Sequence, residues 1–259
     1  MTRALIHREF HVVDFIQNSG LQQCAFDSTD SKGLTRVGGW LRQERTEMAS
    51  FMGGGTQPAQ VFSFLRPGVY AIICVMTRAE ALVLLHEYTP SESLRRHALS
   101  VEAGMRFYAN RCGADAEVWG VTGLLHDFDY ERWPTIPEHT LEGAKILRAR
   151  GVDEEIIGAI LSHADWNRGE FPLDRPIRKT LFAVDELSGF VNAVAYVRPD
   201  KLGGMTPSSV RKKMKHASFA AAVKREDIEA GARLLELSLD DHIANVISAL
   251  QGISNQLGF

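Results

Sequence analysis

The stretch Gly123-Leu124-Leu125-His126-Asp127-Phe128-Asp129-Tyr130-Glu131-Arg132 decides how the chain is read. It sets adjacent His and Asp side chains at the C-terminal end of an apolar helix expected over about 115–126. Two polar groups are out of place there unless something binds them, because a buried charge is costly unless it is paired or coordinates a metal.

On both sides of this stretch the sequence keeps writing helices. Thr77 followed by Glu80 has capping-box spacing and opens a helix to about Tyr88. Pro90 and Ser91 start the next, which runs to about Arg111 and stops before Gly113. Further helices are expected at 138–150, ending on Gly151, and at 153–164, with Asp153 as N-cap. Another runs over 177–197 and stops before Pro199, and Thr206-Pro207 opens the one after it. Two more, near 226–237 and 240–256, complete an all-α domain over 76–259. No segment in that range carries the period-2 pattern of a strand.

Residues 1–75 follow different rules. They hold eight of the 22 glycines but a single lysine, Lys32, and only a short helix at 10–16 and a short strand at 69–75 suggest themselves. This part is read as a poorly classified N-terminal extension, with a small α+β domain as the alternative. Met76-Thr77-Arg78-Ala79-Glu80 would make a natural translation start leading into a capped helix. On that reading the extension is non-native or upstream-translated.

The composition sets outer limits. With 29 Lys+Arg against 32 Asp+Glu, a formal charge of −3 and 45% hydrophobic residues, the 259-residue chain is ordinary and globular. It lacks the basic footprint of a general nucleic-acid or acidic-membrane binder, so no stable nucleic-acid complex is expected. Three scattered cysteines form neither a disulfide framework nor a CxxC knuckle, which points to a reducing compartment, the cytoplasm. The longest apolar run, 69–76, is far short of the ~20 residues that span a bilayer. A homodimer stays open.

Nine histidines are present. His97 lies on a helix whose Leu94, Val101 and Tyr108 share nearly the same face, which should point inward. His139 falls in the first turn after Pro137, His163 ends the apolar run Ala159-Ile160-Leu161-Ser162, and Asp185 interrupts Leu181-Phe182-Ala183-Val184 and Leu187. Singly, each could be a satisfied core residue or a cap. Together they ask for a cation, and imidazole plus carboxylate suits divalent Mn, Fe, Co, Ni or Zn. The lack of nearby cysteines removes a thiolate zinc site. His86 and His242 read as ordinary helix-surface residues, and His7 and His11 share no motif.

The order His97…His126-Asp127…His139…His163…Asp185 resembles the HD-domain superfamily of metal-dependent phosphohydrolases, in particular single-domain proteins of the HDIG-like bacterial group. The likeness runs from about Ala79 to Asp185 for the motifs and to about residue 256 for the helices. It is most specific at Gly123 to Arg132 and at Phe182-Ala183-Val184-Asp185-Glu186-Leu187. The resemblance implies an HD-type helical bundle in which His97, His126, Asp127 and Asp185 hold one metal. His139 and His163 match the two further histidines of the dinuclear branch, whose HD aspartate bridges both ions. One departure is plain: related members continue with Gly-Lys after the HD pair, where this chain has Phe128-Asp129-Tyr130.

The activity so implied is hydrolysis of a small phosphorylated substrate, a phosphodiester, cyclic nucleotide or nucleotide phosphate, by attack of metal-bound hydroxide, with tolerance for unnatural esters. Asp127 would position the nucleophile, and Asp129 would donate a proton to the leaving group or stand as a polar rim residue. Arg132, Arg198 and Lys201 are the candidate phosphate partners, with Lys212, Lys213 and Lys215 as a further basic cluster. Asp165 has the same ambiguity as Asp129, and Trp119, Trp133 and Trp166 are expected to pack in the core. Two alternatives share this ligand pattern: a mixed-valent diiron oxygenase that cleaves C–C or C–P bonds, and a degenerate nucleotide-binding module.

Overall fold

Capping residues set the helix boundaries in the computed structural model, which describes residues 76–259. Helix α1 (Arg78–Tyr88) begins at Thr77, whose hydroxyl oxygen accepts from the Glu80 amide while the Glu80 carboxylate accepts from the Thr77 amide. Helix α2 (Glu92–Cys112) ends at Gly113, which adopts the left-handed conformation that glycine takes without strain. Asp115 caps α3 (Ala116–Leu125), and Asp153 caps α5 (Glu154–His163). Between these lies α4 (Glu138–Ala149), closed by the left-handed Gly151. Then come α6 (Pro176–Tyr196), α7 (Pro207–Met214) capped by Thr206, α8 (Arg225–Leu234), α9 (Leu239–Gln251) capped by Ser238, and α10 (Ser254–Leu257).

The fold among the described residues is therefore all-α, with no strand. No described helix is long and apolar enough to cross a membrane. Three details differ from expectation. The helix expected over 240–256 breaks at Gly252, a poor helix former, into α9 and α10. A 3-10 turn, Asp165–Asn167, follows α5. Within α4, His139 and Thr140 leave helical geometry, and Thr140 sits at φ 70. The helix and strand expected at 10–16 and 69–75 lie outside the described residues, as do Cys24, Cys74, His7 and His11.

Two hydrophobic cores divide the helices. One collects Tyr108, Leu181, Val184, Leu187, Phe190, Ile228, Ile243 and Val246 from α2, α6, α8 and α9. The other collects Leu84, Leu85, Leu124, Leu125, Leu147, Ile157 and Ile160 from α1, α3, α4 and α5. Glycines bring the helices close where the cores meet. A Cβ on Gly123 would stand 3.0 Å from the α2 backbone at Val101 and Glu102. One on Gly104 would stand 3.2 Å from Val184 Cβ of α6, and one on Gly231 of α8 would overlap Ala183. Glu102, nearly fully buried on α2, is neutralised by Arg78 at 2.6 Å and Arg106 at 2.8 Å. The glycine contacts set α2 against α3 and α6, and α8 against α6; His97 and Asp185 come from α2 and α6, and His126 and Asp127 follow α3.

Candidate metal centre

His126 immediately follows the last residue of α3. Its Nδ1 donates to the Gly123 carbonyl at 2.8 Å, which leaves the Nε2 lone pair free to face inward. Burial is complete. His163, the last residue of α5, repeats the arrangement by donating Nδ1 to the Ile160 carbonyl at 2.6 Å. His139 donates Nδ1 to Asp129 Oδ1 at 2.9 Å. All three rings are thus held in the tautomer that presents Nε2, the arrangement that metal-binding histidines obtain from a carbonyl or carboxylate on their other nitrogen.

These nitrogens converge on two carboxylates. Asp127 Oδ1 lies 3.2 Å from His163 Nε2 and 3.3 Å from His139 Nε2, while its Oδ2 lies 3.4 Å from His126 Nε2. Asp185, in mid-α6, brings Oδ1 to 3.0 Å from His97 Nε2 and 3.4 Å from His126 Nε2. His97 and His126 Nε2 are themselves 3.3 Å apart. The donors fall into two overlapping sets that could each hold an ion, His97 with His126 and Asp127, and Asp127 with His139 and His163; Asp185 adjoins the first.

Lone pairs directed at lone pairs repel unless positive charge stands among them. The acid–base behaviour of the groups follows from that. Burial alone lowers His126, yet the Asp127 and Asp185 carboxylates hold it well above the ordinary imidazole value. His139 is pushed up to about 9 against its burial by Asp127 and Asp129. Burial favours the neutral acid for Asp127 and Asp185, but the surrounding imidazoles hold both well below the usual carboxylate range. The cluster is built to attract cations, and its all-imidazole and carboxylate donor set fits a divalent transition metal.

Beneath this centre Asp129, expected from the sequence as a proton donor or a polar rim residue, holds neighbouring groups in place. It is buried, and its Oδ2 accepts from the amides of Thr140 at 2.8 Å and Gly143 at 2.9 Å while Oδ1 holds His139. Both of its oxygens are occupied and the side chain is closed off from solvent. It caps the N-terminal turn of α4 and aims His139. A Cβ on Gly143 would lie 2.7 Å from Asp129 Oδ2, so that position has no room for a side chain. The strained backbone at Thr140 is held by the same carboxylate and by Asn167 Nδ2 on its hydroxyl at 2.8 Å.

The expected phosphate partners are scattered. Arg132 is exposed and lies over the Tyr88 ring, 4.4 Å from its centroid. Arg198 and Lys201 lie past the end of α6, at least ~16 Å along the helix from Asp185. There Arg198 donates to the carbonyls of Lys201 and Gly203, and Lys201 to that of Tyr196, so both brace a loop. Asp165 is exposed. Trp119 packs in the core as expected, whereas Trp166 is a third exposed, its ring edge against His139 at 6.0 Å. Tyr130 flanks the same imidazole at 5.1 Å. His242 corrects the surface reading: it is fully buried, paired with Tyr108 Oη at 2.6 Å and donating Nε2 to the Ala183 carbonyl at 2.9 Å. Arg168, not foreseen, donates to the carbonyls of Ser162 and His163 and fixes the end of α5.

Such a geometry, histidines at two helix ends and a kink with a shared aspartate between two donor sets, defines a helical His/Asp cluster that could hold metal ions. The HD domain family matches residues 94–255, more than half of the chain, and the chain belongs to that family. Its members bind divalent metals and are usually metal-dependent phosphohydrolases. No solved structure gives a significant match.

Proposed function

We propose that the chain is a metal-dependent phosphohydrolase, acting in the cytoplasm on the phosphate ester of a small molecule. The observation that carries this reading is the placement of Asp127, whose two oxygens face histidines of both donor sets within 3.2–3.4 Å. His97, His126, Asp127 and Asp185 would hold one divalent ion, and Asp127, His139 and His163 a second. When bound, such ions supply Lewis acidity, lowering the pKa of water and neutralising charge on phosphoryl oxygens.

The protein's own contribution is positioning. The carbonyls of Gly123 and Ile160 and the Asp129 carboxylate hold three imidazoles in one tautomer, so little reorganisation is needed when charge develops. Access follows from unequal burial: the side chains of His97, Asp127 and Asp185 are about a fifth exposed, whereas His126, His139 and His163 are nearly closed off. A substrate therefore approaches past His97, Asp127 and Asp185.

Elemental analysis of the purified protein, coupled to turnover of phosphomonoester, diester and triester substrates, tests the proposal. Two equivalents of a transition metal with metal-dependent release of phosphate or alcohol are expected. Metal-dependent O2 consumption without ester cleavage would replace this reading with the oxygenase, and a metal-loaded protein inert on all esters and without O2 uptake would leave a binding module.

A further inference from the structure

The helices that supply His97 and Asp185 continue past the metal centre, and what they carry there is a second, small site. On α6, Gly189, Asn192 and Tyr196 follow Asp185 at intervals of four, seven and eleven residues, which keeps them on one stripe of the helix. On α2, Arg96 adjoins His97. With Phe259, these residues line a cavity of about 210 Å³ that includes the His97 ring in its wall. The absence of a side chain at Gly189 opens it, since a Cβ there would stand 3.6 Å from His97 Nδ1.

The polar groups of this cavity are unevenly matched. Arg96 donates to Tyr196 Oη at 3.0 Å, and its nearest carboxylate, on the exposed Glu92, is 3.8 Å away. None of the described residues lining the cavity is acidic. Asn192, only 8% exposed, gives its Nδ2 to Ser100 Oγ at 2.8 Å, and its Oδ1 is sealed from solvent. The Tyr196 and Phe259 rings meet edge to face, 5.1 Å between centroids, beside these groups.

We propose that this cavity is the specificity subsite, and that it takes the second anionic group of a compact phosphoester. The anion, carboxylate or phosphate, pairs with Arg96. The volume equals about seven waters of liquid and is below the ~300 Å³ where pockets for drug-sized ligands begin, which suits a small group better than a nucleoside. This rests on the phosphohydrolase reading of the adjoining metal centre.

Kinetics of the metal-loaded protein on p-nitrophenyl phosphate, glycerol 3-phosphate, 3-phosphoglycerate and AMP test it, together with calorimetric binding of 3-phosphoglycerate and AMP. The highest kcat/KM and the tighter binding are expected for 3-phosphoglycerate. Arg96→Gln, a change on a part-exposed side chain, should raise its KM and Kd about tenfold or more, the loss expected for one charged hydrogen bond, with the glycerol 3-phosphate values moving less. Arg96→Lys should recover part of the loss. Hydrolysis of p-nitrophenyl phosphate with no preference for 3-phosphoglycerate, and no change in that preference in Arg96→Gln, overturns the subsite and leaves the metal-centre reading standing. If no ester is cleaved, the phosphohydrolase reading falls. The binding measurement then decides the subsite alone, and equal affinity of wild type and Arg96→Gln for 3-phosphoglycerate refutes it.

Discussion

The Gly123 carbonyl accepts the Nδ1 hydrogen of His126 at 2.8 Å, and a Cβ on the same glycine would stand 3.0 Å from the α2 backbone. One residue thus sets the tautomer of a metal-facing imidazole and allows His97 of α2 to come within 3.3 Å of it. The absence of a side chain there matters as much as the carbonyl does.

Gly123→Ala should accordingly harm both stability and the centre. The new methyl would meet Met105 Cγ at 2.9 Å and the α2 backbone at 3.0 Å, and backbone cannot move aside as a flexible side chain can. Overpacking of this kind costs about 1–3 kcal/mol. Denaturant unfolding should record that loss, and metal titration should show weaker binding to the His97 set; unchanged values for both would show that α2 and α3 have slack at this crossing.

Asp129→Asn separates aiming from proton donation. The variant keeps an acceptor for His139 but loses the charge that holds that imidazole, and its NH2 would then stand against the N–H groups of both Thr140 and Gly143. An outer-shell change of this type typically lowers metal affinity or activity by ~10–100-fold. If Asp129 donated a proton to the leaving group, turnover would fall with metal content intact. We expect metal content to fall with it, read by dialysis and elemental analysis.

Much of this was legible in the sequence because helix ends and burial follow local rules. Thr77, Asp115, Asp153 and Thr206 announce their helices by chemistry alone, and His126, His163 and Asp185 stand out as polar residues among apolar ones. What was not legible depends on contacts far along the chain. Asp129 reads as a rim residue until Thr140 and Gly143 return to it, and nothing local marks Thr140 for a left-handed backbone. His242 follows Asp240 and Asp241 and so reads as surface. Yet it precedes Val246 and Leu250 by four and eight residues on the buried face of α9, a signal that the pattern did contain.

Because it is buried, His242 gives the protein a pH-dependent stability. Burial drives it down to about 4 from the ordinary 6.5, despite the Ala183 carbonyl. Above pH 6.5 both folded and unfolded chains carry it neutral. As pH falls from 6.5 to about 4 the unfolded chain takes up a proton that the folded one refuses, and stability is lost. The loss approaches ~3 kcal/mol near pH 4, an order-of-magnitude figure from the size of the shift. His139 shifts the opposite way and Glu186 is pushed up to about 7, so the comparison is between metal-free wild type and His242→Gln, which share every other titrating group. The difference between their stabilities should open below pH 6.5; parallel curves would remove His242 from the account.

Metal stoichiometry distinguishes the roles of the ligands. Asp127 serves both donor sets, so Asp127→Ala should abolish binding of both ions and, with them, turnover. His163→Ala removes a donor from only one set and should halve the metal content, leaving the His97, His126 and Asp127 set occupied. A wild type that already binds a single ion, unchanged by His163→Ala, would mark the centre as mononuclear.

The boundary at Met76 makes a final prediction. Met76 is buried against the α1–α5 core, and Thr77 closes a complete capping box, so α1 has a formed start at that point. Among the described residues, every proposed metal ligand and both cores lie at or C-terminal to it. A chain beginning at Met76 should therefore fold cooperatively, bind the same number of ions and retain its activity. Circular dichroism melting and elemental analysis of the shortened and full chains side by side provide the check. A loss of cooperative unfolding on removal of residues 1–75 would make those residues part of the domain and move the boundary toward the N-terminus.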